Sequence, residues 1–213
     1  MVTRTETVFN VKNTPEIKAK LFAWAVHSSP VTWLDSNDYP HHNNTHDVLL
    51  ALNTCPETQW LSSYKTLQKS VGSDWLFGFF TYEFSNNWEK VLATNMAYVL
   101  VPKLQFFCPE KVWILKGDTL VAMYHTNANA IEDFEDILAT EPILTKEMST
   151  VNLSPRISKS DYLKNATALQ QHILRGDIYE VNYCMEWFAE NVTVLPHQIF
   201  QSLNKIASTP FAA

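Results

Sequence analysis

The chain has 213 residues, a net charge of −6, 46% hydrophobic and 18% charged side chains, the balance of a globular chain with a sizeable core. It carries no basic stripe for nucleic acid, no polybasic patch for an anionic membrane and no apolar run of transmembrane length. Its four glycines form no phosphate-cradling loop, and Met1 to Thr14 lacks a signal-peptide core. Cys55, Cys108 and Cys184 are odd in number and widely spaced, which argues against a disulfide framework and for a cytoplasmic protein.

In chain order, Thr14 and Pro15 open a short helix to Trp24, as N-cap and first helical residue. Val31 to Ser36 reads as a strand, Asn37 to Thr45 as a polar loop, Asp47 to Asn53 as a strand and Leu61 to Lys69 as a helix. The continuous apolar run within Ser73 to Phe84 reads as a strand buried on both faces. Gly78 inside it points to a close backbone approach or a bend. Leu104 to Phe107, Lys111 to Leu115 and Thr119 to His125 read as further strands, the last two joined by a turn at Gly117-Asp118. Ile131 to Leu138 is an acidic helix whose Glu132, Asp133, Glu135 and Asp136 read as a solvated face.

Ser158 to Arg175 is the clearest helix. Ser158 and Asp161 make a capping-box-like start, Tyr162, Ala166, Leu169 and Ile173 share one face, and Gly176 fits the position that ends it. The following stretch alternates with a period of two, so Tyr179 to Trp187 is expected to be a strand. Tyr179, Val181, Tyr183, Met185 and Trp187 fall on one face and Glu180, Asn182, Cys184 and Glu186 on the other. His197 to Ala207 reads as an amphipathic helix with Ile199, Leu203 and Ile206 inward. The order of elements gives an α+β class.

Four segments, in this order, carry a resemblance. They are Trp33-Leu34-Asp35-Ser36, then Phe77 to Glu83 followed by Glu89, then Tyr162 through Gly176-Asp177-Ile178-Tyr179-Glu180-Val181-Asn182, and Thr209-Pro210-Phe211-Ala212-Ala213. Together they resemble the N-terminal half of the chorismate-utilising enzymes. Asp35-Ser36 and Val181-Asn182 are similar to the aminodeoxychorismate synthase component I (para-aminobenzoate synthase component I) branch rather than to anthranilate synthase component I. Glu180 replaces a usual Gln, Glu83 a usual Asp, and Phe77 a common Gly.

The resemblance implies an anthranilate-synthase-like sandwich of antiparallel sheets covered by helices, incomplete in this chain. Residues 1–150 would be an N-terminal, regulatory-type domain and 151–213 the truncated start of a chorismate-binding domain. The implied reaction is amination of chorismate at C4 in para-aminobenzoate and folate biosynthesis, with Mg²⁺ and with ammonia from a glutamine amidotransferase subunit. The family's metal ligands and acid/base groups are expected downstream of Ala213. No catalytic residue or metal ligand is therefore assigned in this chain, which is expected to be inactive alone. The alternatives are anthranilate synthase component I and a stand-alone amino-acid-binding regulatory module.

Ser36, Pro210, Phe211 and Ala212 match positions that line an L-tryptophan pocket in many relatives. Two readings stay open for them: such a pocket, or a plain strand end packed on a loop, with Phe211 itself filling the indole slot. Glu180 and Asn182 read either as lining a reaction cavity or as part of a solvated or internally satisfied polar face. Glu186 reads as part of a solvated or internally satisfied polar face, and Cys184 as a small buried hydrophobe. His41, His42 and His46, with Asp38 and Asp47, match no standard metal-ligand spacing and read as a solvated loop.

Overall fold

The computed structural model describes residues 4–12, 14–40, 45–55, 60–87, 100–125, 129–143 and 151–213. The chain divides into two compact units, Met1–Leu144 with Phe200–Ala213, and Thr145–Ile199.

The first unit begins with β1 (Thr5–Asn10), α1 (Pro15–Ala25), β2 (Val31–Asp35), β3 (Val48–Thr54) and α2 (Tyr64–Ser70). It continues through β4 (Phe77–Phe80), a 3₁₀ helix at Tyr82–Asn87, β5 (Leu104–Phe107), β6 (Pro109–Lys116), β7 (Thr119–Tyr124) and α3 (Ala130–Ala139). Five strands form one antiparallel sheet in the order β1-β7-β6-β3-β2. Gly117, with φ 51°, supplies the left-handed residue of the two-residue β6–β7 turn. The class is α+β, with antiparallel sheets and five α-helices among the described residues.

Strand alternation sorts the sheet's side chains onto two faces. On one face Val48, Leu50, Leu52, Trp113, Leu115, Leu120, Ala122 and Tyr124 meet Ile17, Leu21 and Ala25 of α1 and Ala130 and Ile137 of α3. On the other face Leu49, Ala51 and Val112 meet Phe77 of β4 and Phe107 of β5, which pair as a two-stranded ladder. The strand buried on both faces is therefore β3, whose first five residues are all buried. The apolar run at 73–84 departs from the expectation. Only Phe77–Phe80 is a strand, Phe77 alone of the four is buried, and the chain then turns into the 3₁₀ helix. One layer covers Phe77, while Phe79 and Phe80 are exposed. Composition reports apolarity, and burial needs a second layer that β4 does not meet among the described residues.

Of the two readings of Gly78, the structure shows the close backbone approach. A Cβ there would lie 2.1 Å from Gln105 O and 2.5 Å from Phe106 Cα. Thr14 caps α1 through its side chain, with Pro15 in the first turn, and Asn129 caps α3 by accepting from Ile131 and Glu132 N–H.

The acidic face of α3 is not uniformly solvated. Asp133 accepts from Lys111 Nζ at 2.7 Å and from the Tyr124 hydroxyl. Lys111 and Tyr124 are cross-strand partners on β6 and β7, so the strand pairing delivers both donors to one carboxylate. Burial, with the Asp133 carboxylate next, pushes the Tyr124 hydroxyl far above its ordinary value. Glu132, Glu135 and Asp136 are exposed, as expected.

The second unit contains β8 (Ser154–Pro155), α4 (Lys159–Arg175) and β9 (Trp187–Phe188). Ser158 Oγ accepts from Asp161 N–H at 3.1 Å and donates to Asp161 Oδ2 at 2.6 Å. Gly176 ends α4 in the left-handed region with φ 80°, and Asp177 N–H returns to His172 O.

The expected strand at 179–187 is largely absent. Only Trp187 and Phe188 enter a ladder, with β8, and residues 179–182 are exposed and form no strand. Alternation sets which face each residue would take, but a strand exists only where a neighbour satisfies its backbone groups. The last helix is α5 (Pro196–Ile206). The division between the units falls inside it. Its expected inward residues Ile199, Leu203 and Ile206 are all exposed. The stripe has the helical period, yet the described residues do not cover it.

Candidate functional site

The first unit brings the end of β2 and the end of the chain together. Asp35 N–H donates to Ala212 O at 2.9 Å and Ala212 N–H donates to Asp35 O at 3.1 Å. This antiparallel bridge extends the sheet beyond β2 by a single residue pair. Ser36 follows directly. Its N–H donates to Asp47 O at 3.0 Å, its side chain is buried, and its Oγ makes no hydrogen bond among the described residues. A buried hydroxyl without a partner costs about 1–3 kcal/mol, which a ligand or water can recover.

The turn after Ser36 is held from several directions. Asn37 and Asp38 lie at φ 51° and 58°, the left-handed region that Asn and Asp tolerate best. Asn37 N–H donates to Asp35 Oδ1 at 2.8 Å. Asn37 and Asn204 of α5 exchange amide hydrogen bonds at 2.8 and 2.9 Å, and Asn37 Nδ2 also donates to Thr209 O. The Tyr39 hydroxyl donates to Ser208 O. Lys18 of α1 reaches Asp38 at 2.7 Å and Asp35 at 3.6 Å. Burial opposes the Lys18 charge, but Asp38, Asp35 and Asp47 outweigh it and raise its pKa. Phe22 stands edge-on to Trp33 and stacks on Phe200 of α5, joining the same elements through apolar contact.

Of the sequence-selected residues, Ala212 is buried on the bridge, Ser36 is buried next in sequence to its partner Asp35, and Pro210 is half-buried. Phe211 is 82% exposed, so it fills no interior slot. Lys18, Asn37 and Asn204 were not singled out from sequence. The Asn37-Asp38 pair does carry a local signal, because two such residues in tandem favour left-handed turns. Asn204 carries none, since its partner is distant in sequence.

Glu180 and Asn182 are exposed in the second unit. Glu186 is exposed and has a partner. Arg156 donates to both its carboxylate oxygens, at 2.9 and 3.3 Å, and lies over the Phe188 ring at 3.5 Å. Those hydrogen bonds hold Glu186 below its ordinary value. Cys184 is exposed, not buried as expected, because the strand that was to bury it does not form.

His41 and His42 lie outside the described residues, as does Glu89 of the second motif. His46 is described. Its Nδ1 lies 2.9 Å from Thr45 Oγ1, and burial with the Lys116 charge pushes it below its ordinary value against Asp47. Among the described residues no group of three or more His, Cys, Asp or Glu is placed to hold a metal ion. No helix among them is long and apolar enough to cross a membrane.

The architecture is that of an α+β protein built on an antiparallel sheet, with the end of the chain bridged to the end of β2. The sequence matches the family model of chorismate binding enzymes over residues 27–213, and the chain belongs to that chorismate-utilising family. No curated protein matches the sequence.

Proposed function

We propose that the chain is the N-terminal portion of an aminodeoxychorismate synthase component I-like enzyme, which exchanges the C4 hydroxyl of chorismate for an amine. Asp35-Ser36 and Val181-Asn182 support this branch over anthranilate synthase. Ammonia would come from a glutamine amidotransferase subunit, and Mg²⁺ would be held by residues outside those described here. Ser36 with Pro210–Ala212 forms a site for a free amino acid, L-tryptophan by resemblance. The observation that carries this part is the buried Ser36 hydroxyl, without a hydrogen bond among the described residues, beside the Asp35–Ala212 bridge.

Two measurements test the reading. The enzyme that carries this chain, given chorismate, Mg²⁺ and ammonia, forms aminodeoxychorismate, whereas anthranilate as the product moves the assignment to the sister branch. These 213 residues alone are expected to be silent in the same assay. Calorimetry with L-tryptophan gives binding that Ser36→Ala weakens about tenfold, the worth of one hydrogen bond. A wild-type chain that takes up no heat of binding removes the amino-acid site.

A further inference from the structure

Cys55 and Cys108 stand at the end of the β3·β6 ladder. The register that pairs Thr54 with Pro109 continues by one residue to set them opposite each other, and Cys55 N–H donates to Cys108 O at 2.9 Å. Their sulfurs are 3.6 Å apart, both side chains are buried and neither is disulfide-bonded. Directly opposed residues of antiparallel strands have Cα separations of about 4.5–5.5 Å, inside the range that a disulfide spans.

We propose that Cys55 and Cys108 form a covalent modification site, a dithiol that closes to an intramolecular disulfide when a hydroperoxide-class oxidant is present. Whichever thiol reacts first attacks the peroxide oxygen, breaks the O–O bond and becomes a sulfenic acid, releasing water or an alcohol. The second sulfur displaces the hydroxyl as water. Two thiols thus lose two protons and two electrons, and the peroxide accepts them.

The surroundings tolerate the product. Oxidation removes the Cys108 S–H donated to Asp74 Oδ2 at 3.3 Å and the Cys55 S–H donated to Pro109 O at 3.1 Å. Neither acceptor is orphaned, because Arg4 donates to both Asp74 oxygens at 2.7 and 3.0 Å and to Pro109 O at 2.7 Å. The sulfurs need approach by only about 1.5 Å, within reach of side-chain rotation. Burial, the Cys55 thiol and the Asp74 carboxylate push the Cys108 thiol up to about 12, so resting Cys108 is protonated and reacts slowly. Cys55 follows the last residue of β3, and Cys108 is the single residue between β5 and β6. Ladder ends fray first, and that opening admits the oxidant.

The test uses Cys184→Ser, or wild type with the exposed Cys184 alkylated beforehand, treated with hydrogen peroxide under native conditions. Intact mass should show the loss of two hydrogens, peptide mapping should join Cys55 to Cys108, and dithiothreitol should restore both thiols. Cys55→Ser in the same background should give no such loss. Full retention of both thiols, oxidation only to sulfinic or sulfonic acids, or cross-links only between molecules would overturn the proposal.

Discussion

Asn37 and Asn204 exchange a reciprocal pair of side-chain amide hydrogen bonds, at 2.8 and 2.9 Å, and so fix the turn after β2 to the helix that precedes the Asp35–Ala212 bridge. The clasp, the Lys18 ion pairs and the bridge together hold Ser36 against residues 209–212.

Asn204→Ala should therefore loosen residues 208–212 more than it lowers global stability. Loss of the pair leaves the Asn37 Oδ1 acceptor without its donor, at a cost of about 1–2 kcal/mol. Hydrogen exchange measures the effect directly. The Ala212 amide, which donates to Asp35 O, should exchange markedly faster in the variant, while the β3 amides stay protected. Unchanged exchange at Ala212 would show that the bridge stands without the clasp.

Gly78 and Gly176 need glycine for different reasons, and substitution separates them. At Gly78 an added Cβ strikes the Gln105 O and Phe106 Cα backbone atoms of β5, which cannot rotate away. Gly78→Ala should cost about 3 kcal/mol and separate β4 from β5. At Gly176 nothing lies within 4 Å of such a Cβ, and the cost comes from φ 80° alone. Gly176→Ala should cost about 1 kcal/mol, and Gly176→Asn less, since Asn accepts the left-handed region. Urea unfolding of the three variants checks the order. A Gly78→Ala protein as stable as Gly176→Ala would mean β4 and β5 are not in contact as described.

Arg4 and Asp74 are a nearly buried ion pair, with side chains 4% and 7% exposed. Burial opposes the Asp74 charge, but hydrogen bonds from Arg4 and the Trp75 N–H outweigh it and hold the carboxyl below its ordinary value. A depressed carboxyl contributes stability that is fully present above the unfolded pKa, about 3.9, and is lost as pH falls through the folded value. Wild type should thus lose stability below about pH 4 more steeply than Asp74→Asn. At pH 7 the substitution should cost about 3 kcal/mol, the penalty for leaving one buried charge without its partner. Backbone carbonyls of Pro109, Glu110 and Met123 also accept from Arg4 and limit the loss. Parallel acid slopes for the two proteins would show that Asp74 is not the titrating group.

Local signals were legible in the sequence, and coverage was not. Thr14-Pro15, Ser158 with Asp161, Gly176 and the Gly117 turn act within a few residues of themselves, so their chemistry dictates their geometry. The five-stranded sheet followed because Val48–Thr54 and its neighbours find partners that satisfy each backbone group. The readings that failed all required a second surface. The run at 73–84, the alternation at 179–187 and the stripe on α5 have the right periods, yet burial depends on what lies opposite. At the candidate site the same division holds. Ser36 and Ala212 were visible through motif resemblance, whereas Lys18 and Asn204 act through contacts that no local pattern encodes.

That uncovered apolar surface has a measurable consequence. Leu203 and Ile206 are 61% and 85% exposed on α5, and Phe79, Phe80 and Phe211 are exposed as well. Contiguous exposed apolar surface binds hydrophobic dyes and favours self-association, and burying it recovers roughly 25 cal/mol per Å². The chain should therefore bind an anilinonaphthalene dye and sediment with a concentration-dependent mass. Leu203→Ser with Ile206→Ser should reduce both effects without lowering Tm, because neither side chain contributes to the buried core. A dye-silent wild-type monomer with a cooperative melt would mean that these faces are covered in solution by the chain itself.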